Sequence, residues 1–184
     1  MRFMFDEART AQAAAYLVGL NGGRMNYMVL IKLLYLSDRQ SLIETGMPIT
    51  GDRMVSMPHG PVLSTTLNLI KEAEGERSPW HEYLTRPASL EVKVKRNDPD
   101  TDELSQYNLS VLRDVYCEFG KMNKWALRDL THKLPEYEDS KGSSRTIDPR
   151  TILERAGVPR ARIEDFERDA EEDWFMRSLE RSLA

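Results

Sequence analysis

The chain has 184 residues, 40% of them hydrophobic, enough for one domain with a sizeable core, and a formal net charge of −4 from 26 basic and 30 acidic residues. That balance excludes attraction to nucleic acid or an anionic membrane through the bulk field and leaves only local basic patches for such partners. The single cysteine, Cys117, excludes an intrachain disulfide and a cysteine-rich zinc site, and fits a reducing, cytoplasmic setting.

The opening "MRFMFDEART" becomes charged too early for a signal peptide, and no window carries the roughly 18 apolar residues of a membrane span. Asp6 is placed to cap a first helix in which Ala8, Ala11, Ala15 and Val18 form a stripe of small residues, leaving room for a close neighbour. Gly22-Gly23 breaks it. Asn26 then caps a second helix whose segment "YMVLIKLLYLSD" is apolar on nearly every side, the pattern of a central helix, with Leu30, Leu33, Leu34 and Leu36 expected in the core.

Gly46 and Pro48 end that helix. Pro61 is expected in the first turn of a third one, where a missing N–H costs nothing. This helix is read as running to about Ala73, with Val62, Thr66, Leu69, Ile70 and Ala73 on one face and Gly75 as its cap. The period then changes to two: Leu90, Val92 and Val94 alternate with Glu91, Lys93 and Lys95 before the turn-forming Asn97-Asp98-Pro99-Asp100, which predicts a strand in a small hairpin.

Helical signals resume at Ser105, a cap for a helix carrying Leu109, Leu112, Val115, Tyr116 and Phe119 and closed by Gly120. Asn123 caps the next, with Leu127 and Leu130, which ends near Thr131-His132. "EYEDSKGSSR" reads as a surface loop, and Asp148-Pro149 restarts a short helix. Residues 160–182 form a last, largely charged helix with a narrow stripe of Ile163, Phe166, Ala170 and Trp174. The expected architecture is mainly α: a compact multi-helix domain over 1–157 with a small β-hairpin, followed by an amphipathic helix over 158–184 that packs on the domain or binds a partner.

Catalytic signals are sparse. His59, His81 and His132 are far apart, and none lies in a metal-binding spacing. Cys117 has no cationic neighbour in sequence to activate it, and no phosphate-binding or dinucleotide glycine motif is present. Lys93, Lys95 and Arg96 could be the wing of a DNA reader, but lysines also protect strand edges, and the helix after Pro61 lacks base-reading side chains. Lys32, alone in an apolar helix, is expected to snorkel or to pair with Asp38 or Asp52.

Three blocks together carry a resemblance: "KLLYLSD" (Lys32 to Asp38), "GMPITGDRMVSMPHGPV" (Gly46 to Val62) and "LSQYNLSVLRDVYCEFGKMNKWALRDLTHKLP" (Leu104 to Pro135). In order and spacing they resemble the Panacea domain of SocA-like antitoxins and phage-associated proteins over most of residues 7–157; Tyr137 is the nearest aromatic after Thr131-His132, where relatives often carry a Trp. The resemblance implies a mainly helical, non-enzymatic protein with no catalytic, cofactor or metal residues. Its partner would be a cognate protein toxin, neutralised by binding or delivered to a cytoplasmic protease.

The structural motif on that reading is Lys32, Asp38, Gly51, Asp52, Gly60, Pro61, Thr131 and His132. Candidate partner contacts are Trp80, Tyr83, Lys93, Lys95, Phe166, Trp174 and Phe175, and pairing of two copies through Trp174-Phe175-Met176 is an open alternative. A DNA-binding autorepressor is the second functional reading, and an enzyme using Asp52, His59 and His132 is the third.

Overall fold

The computed structural model describes residues 1–71, 78–85, 90–96 and 99–183. Helix α1 (Glu7–Leu20) begins where the Asp6 carboxylate accepts the Arg9 N–H at 3.0 Å. Ala11, Ala13, Ala14, Ala15, Leu17 and Val18 are all buried, so the small side chains face neighbours on more sides than one stripe. Strand β1 (Arg24–Asn26) leads directly into α2 (Tyr27–Thr45), which Asn26 caps by accepting the Met28 N–H. As expected, Leu30, Leu33, Leu34 and Leu36 are in the core. Gly46 ends α2 in the left-handed conformation.

The segment from Gly46 to Pro61 is more than a turn. Strands β2 (Met54–Met57) and β3 (Gly60–Leu63) form an antiparallel hairpin, and Pro61 lies in β3 opposite Ser56, not in the first helical turn. β3 is an edge of its sheet, where one side of the backbone has no ladder to serve and a proline is tolerated. Helix α3 (Ser64–Lys71) starts after it, so Val62 belongs to the strand while Thr66, Leu69 and Ile70 face inward from the helix. The expected helix end at Ala73 and Gly75 falls outside the described residues.

After the short α4 (Pro79–Tyr83), strand β4 (Glu91–Lys93) keeps the predicted alternation, with Val92 buried and Lys93 exposed. Its partner is not a local hairpin strand but β1, nearly seventy residues earlier, in the register Arg24↔Lys93, Met25↔Val92, Asn26↔Glu91. Leu90, expected on the apolar face, precedes the strand and is exposed; Asn97-Asp98 lies outside the described residues. α5 (Gln106–Phe119) opens with a reciprocal cap between Ser105 and Asn108, and α6 (Lys124–Thr131) with Asn123 accepting two backbone N–H groups.

β5 (Arg145–Thr146) pairs with the far side of β2, giving the order β3-β2-β5. Asp148 caps α7 (Pro149–Arg155), and α8 (Arg160–Leu183) closes the fold. The described residues thus hold eight helices and small antiparallel sheets, a mainly α fold. α2 is its axis, touching α1, α3, α5, α6, α7, β1 and β3.

Candidate functional site

The eight motif residues gather into two buried clusters on α2. The first is built around Gly60. Lys32, 3% exposed, reaches across from α2 and donates from Nζ to the Pro61 carbonyl at 2.7 Å. It makes no ion pair with Asp38 or Asp52, so the carboxylate partner expected for it is replaced by a backbone oxygen. Burial without a counter-ion lowers its pKa to about 7.

Thr131 and His132 arrive at the same glycine from the end of α6. A Cβ on Gly60 would stand 2.8 Å from Lys32 Nζ, 2.8 Å from Thr131 Oγ1 and 2.9 Å from His132 Cδ2. With φ at +89°, the position both permits and requires glycine. The His132 ring stacks on Tyr137 at a centroid distance of 4.5 Å, and the Tyr137 hydroxyl donates to the Met57 carbonyl at 3.3 Å. Burial and the nearby Lys32 amine lower the His132 pKa, and its buried Nε2 has no hydrogen-bond partner.

The second cluster pins the loop before β2. The fully buried Asp38 carboxylate accepts the Thr50 N–H at 2.9 Å and the Thr50 hydroxyl, and burial raises its pKa to about 7. Two residues on, Asp52 accepts the Thr65 N–H at 3.0 Å, and its other oxygen takes the Thr66 N–H and hydroxyl, each at 2.7 Å. It therefore satisfies the free amides at the start of α3 from outside the helix. Gly51, at φ +68°, passes under the Met4 carbonyl so closely that a Cβ would overlap it. The enzyme reading needs Asp52 beside the two histidines. The structure instead commits Asp52 to the Thr65 and Thr66 amides at the start of α3, while His132 lies against Gly60, the residue after His59. Among the described residues no group of three His, Cys, Asp or Glu side chains is placed to hold a metal ion.

The candidate contacts are distributed differently. Trp80 is 1% exposed and packs in the core under α1, its backbone N–H donating to Glu7, so it cannot serve as a surface contact. Phe166 is also buried, against the open face of Gly46. Tyr83 is half-buried and its hydroxyl accepts from Gln12. Lys93 and Lys95 are exposed, but Lys95 donates to the His81 carbonyl at 2.6 Å and Arg96 pairs with Asp100 at 3.3 Å, which leaves little of a free basic wing.

The terminal helix divides in two. Ile163, Phe166 and Ala170 bury its first half. In the second half Trp174 lies under the Arg2 guanidinium at 5.7 Å, while Phe175, Met176, Leu179 and Leu183 are exposed.

Two features escaped the sequence reading. Glu136, 3% exposed, accepts from Arg39 at 2.7 Å and from the Tyr35 hydroxyl at 2.9 Å, fastening the loop after α6 to α2; nothing local in the sequence marks a buried carboxylate there. Trp125 is 50% exposed between Lys124 and Arg128, whose cationic groups lie 4.9 and 5.0 Å from its ring centre. The spacing of those cations around an aromatic, one residue before and three after, was the available signal.

Residues 30–137, more than half of the chain, match the family described as Antitoxin SocA-like, Panacea domain. The chain belongs to this family. The motif residues of both buried clusters fall within the matched region, from Lys32 and Asp38 at its start to His132 near its end, as does Glu136; the Panacea core is thus the part in which the hairpin is locked to α2. α8 and the alanine-rich α1 lie outside that match. No curated protein and no solved structure matches the chain. Among the described residues no helix is long and apolar enough to cross a membrane.

Proposed function

We propose that this Panacea-domain protein is the antitoxin of a bacterial or phage toxin–antitoxin pair, acting in the cytoplasm, and that it silences a protein toxin by binding it directly. Family membership supports the antitoxin role. The observation that carries the binding mode is the second half of α8, where Phe175, Met176, Leu179 and Leu183 share one face of an exposed helix that continues past its packed portion. On this reading residues 1–157 are the scaffold and 158–184 the recognition appendage, with Trp174 and Phe175 as contacts.

The protein works without catalysis: a rigid core holds a surface whose few aromatic and aliphatic anchors supply most of the affinity. Delivery of the bound toxin to a protease uses the same contact and differs only in the toxin's fate. Pairing of two copies through the same face would compete with the toxin.

The test is co-expression. Each neighbouring gene is expressed alone, then with this protein, then with a variant carrying Phe175→Ser, Met176→Ser and Leu179→Ser, and growth and co-purification are scored. Rescue with a stable complex, lost in the triple variant, is the expected result. Rescue accompanied by disappearance of the toxin identifies delivery. Undiminished rescue by the triple variant overturns α8 as the contact surface.

A further inference from the structure

Trp125 stands half in water on α6, and its surroundings are basic. The Lys124 Nζ lies 4.9 Å and the Arg128 guanidinium 5.0 Å from the centre of its ring, so two cations hold the indole in place. Arg128 also pairs with Asp129 at 2.6 Å, whereas Lys124 has no carboxylate partner among the described residues. An exposed Trp held between two cations joins residue types that anchor protein interfaces, and its charge selects a counterpart that is both acidic and apolar.

The chain carries such a counterpart on α8. Helical spacing puts Glu172, Phe175, Met176 and Leu179 on one face, with Glu171 at its edge. All five are exposed, and neither glutamate forms an ion pair among the described residues. Within one copy the two faces belong to different parts of the fold: α6 packs on α2 and β3, and α8 on α7.

We propose that two copies of the chain pair about a twofold axis, the α6 face of each receiving the exposed α8 face of the other. Trp125 of one copy then meets Phe175 and Met176 of the second, and Lys124 and Arg128 meet Glu171 and Glu172. Twofold symmetry makes this contact twice, since each copy offers both faces. The complementary charge of the two faces is what assigns a second copy to the Trp125 patch. Each contact is small, so the pairing is weak and depends on concentration. The inference rests on the toxin-binding reading of α8 only for its consequence, which is that a toxin displaces the second copy to reach that face.

The experiment is sedimentation velocity of the full chain over a roughly hundredfold range of concentration, at low and at high salt. A monomer–dimer equilibrium that moves toward monomer at high salt is expected. Two variants each reverse one face: Lys124→Glu with Arg128→Glu, and Glu171→Lys with Glu172→Lys. Either variant alone should pair at least about tenfold more weakly, because both contacts then oppose like charges. Mixed in equal amounts, the two should pair again with close to the parent's affinity, since one contact is native and the other is its charge-swapped image. A misfolded variant could not produce that recovery. The α6 reversal leaves α8 intact, so its rescue of growth in the co-expression assay reads the toxin surface separately from the pairing.

A chain that stays monomeric over the whole concentration range, a dimer indifferent to both reversals, or reversed variants that do not pair when mixed overturns the proposal.

Discussion

Lys32 and Asp38, six residues apart on α2, are both driven toward their neutral forms by burial, and their effects on stability run in opposite directions with pH. Asp38 has a folded pKa raised from 3.8 to about 7, so its contribution is complete below pH 3.8 and is lost as pH rises toward 7. Lys32 has a folded pKa lowered from 10.5 to about 7, so its contribution is complete above pH 10.5 and is lost as pH falls toward 7. Each shift corresponds to at most about 5 kcal/mol. The two together predict a dip near neutrality, checked by urea midpoints measured from pH 4 to 10. Asp38→Asn should flatten the acid limb and Lys32→Met the alkaline one; a monotonic profile unaffected by either change would contradict the assignment.

Gly60 is a second residue-scale case. Gly60→Ala forces a Cβ against Lys32, Thr131 and His132 at a left-handed φ, and a loss of at least about 2 kcal/mol in chemical denaturation is expected.

At the scale of elements, the helices were legible because their signals are local. Asp6, Asn26, Ser105, Asn123 and Asp148 each cap the helix that their side-chain type announced. Of the strands only β4 was, through the alternation around Val92; the others, at two to four residues, have too little alternation to register, and β1 and β5 exist only through partners distant in sequence. Pro61 suited a helix start as well as an edge strand, and only the pairing with Ser56 decides between them.

Burial of single aromatics was equally illegible: Trp80 stands in a five-residue helix beside His81 and Glu82, yet fills the space under α1. Trp80→Ala should cost about 3–5 kcal/mol, a core-sized loss measurable by thermal unfolding. Of the motif residues, the resemblance named the members of both clusters, but not that they form two, nor that Asp52 serves α3. Asp52→Ala, which strips the acceptors from the Thr65 and Thr66 amides, should destabilise by roughly 2 kcal/mol, while the conservative Asp52→Asn should recover part of it.

For the whole molecule, the fold separates a heavily fastened centre from a lightly fastened margin. Lys32 to Pro61, Asp38 to Thr50 and Glu136 to Arg39 all tie segments to α2, whereas α8 past Ala170 is held by Trp174 under Arg2 and by Arg177 to Asp6 at 3.7 Å. Surface changes away from such ties usually move stability by less than about 0.5 kcal/mol. The triple serine variant of α8 should therefore melt like the parent protein while failing to protect against the toxin. A melting temperature lowered by more than a few degrees would mean that those side chains support the core instead.

The contact between Arg2 and Trp174 also makes the protein its own optical gauge. Three tryptophans sit in three settings: Trp80 sealed in the interior, Trp125 half in water, and Trp174 beneath a guanidinium on the margin. With Trp80 and Trp125 replaced by phenylalanine, the remaining indole would report on α8 alone, and a wavelength shift on mixing with a binding partner would time the arrival of that partner without any attached label.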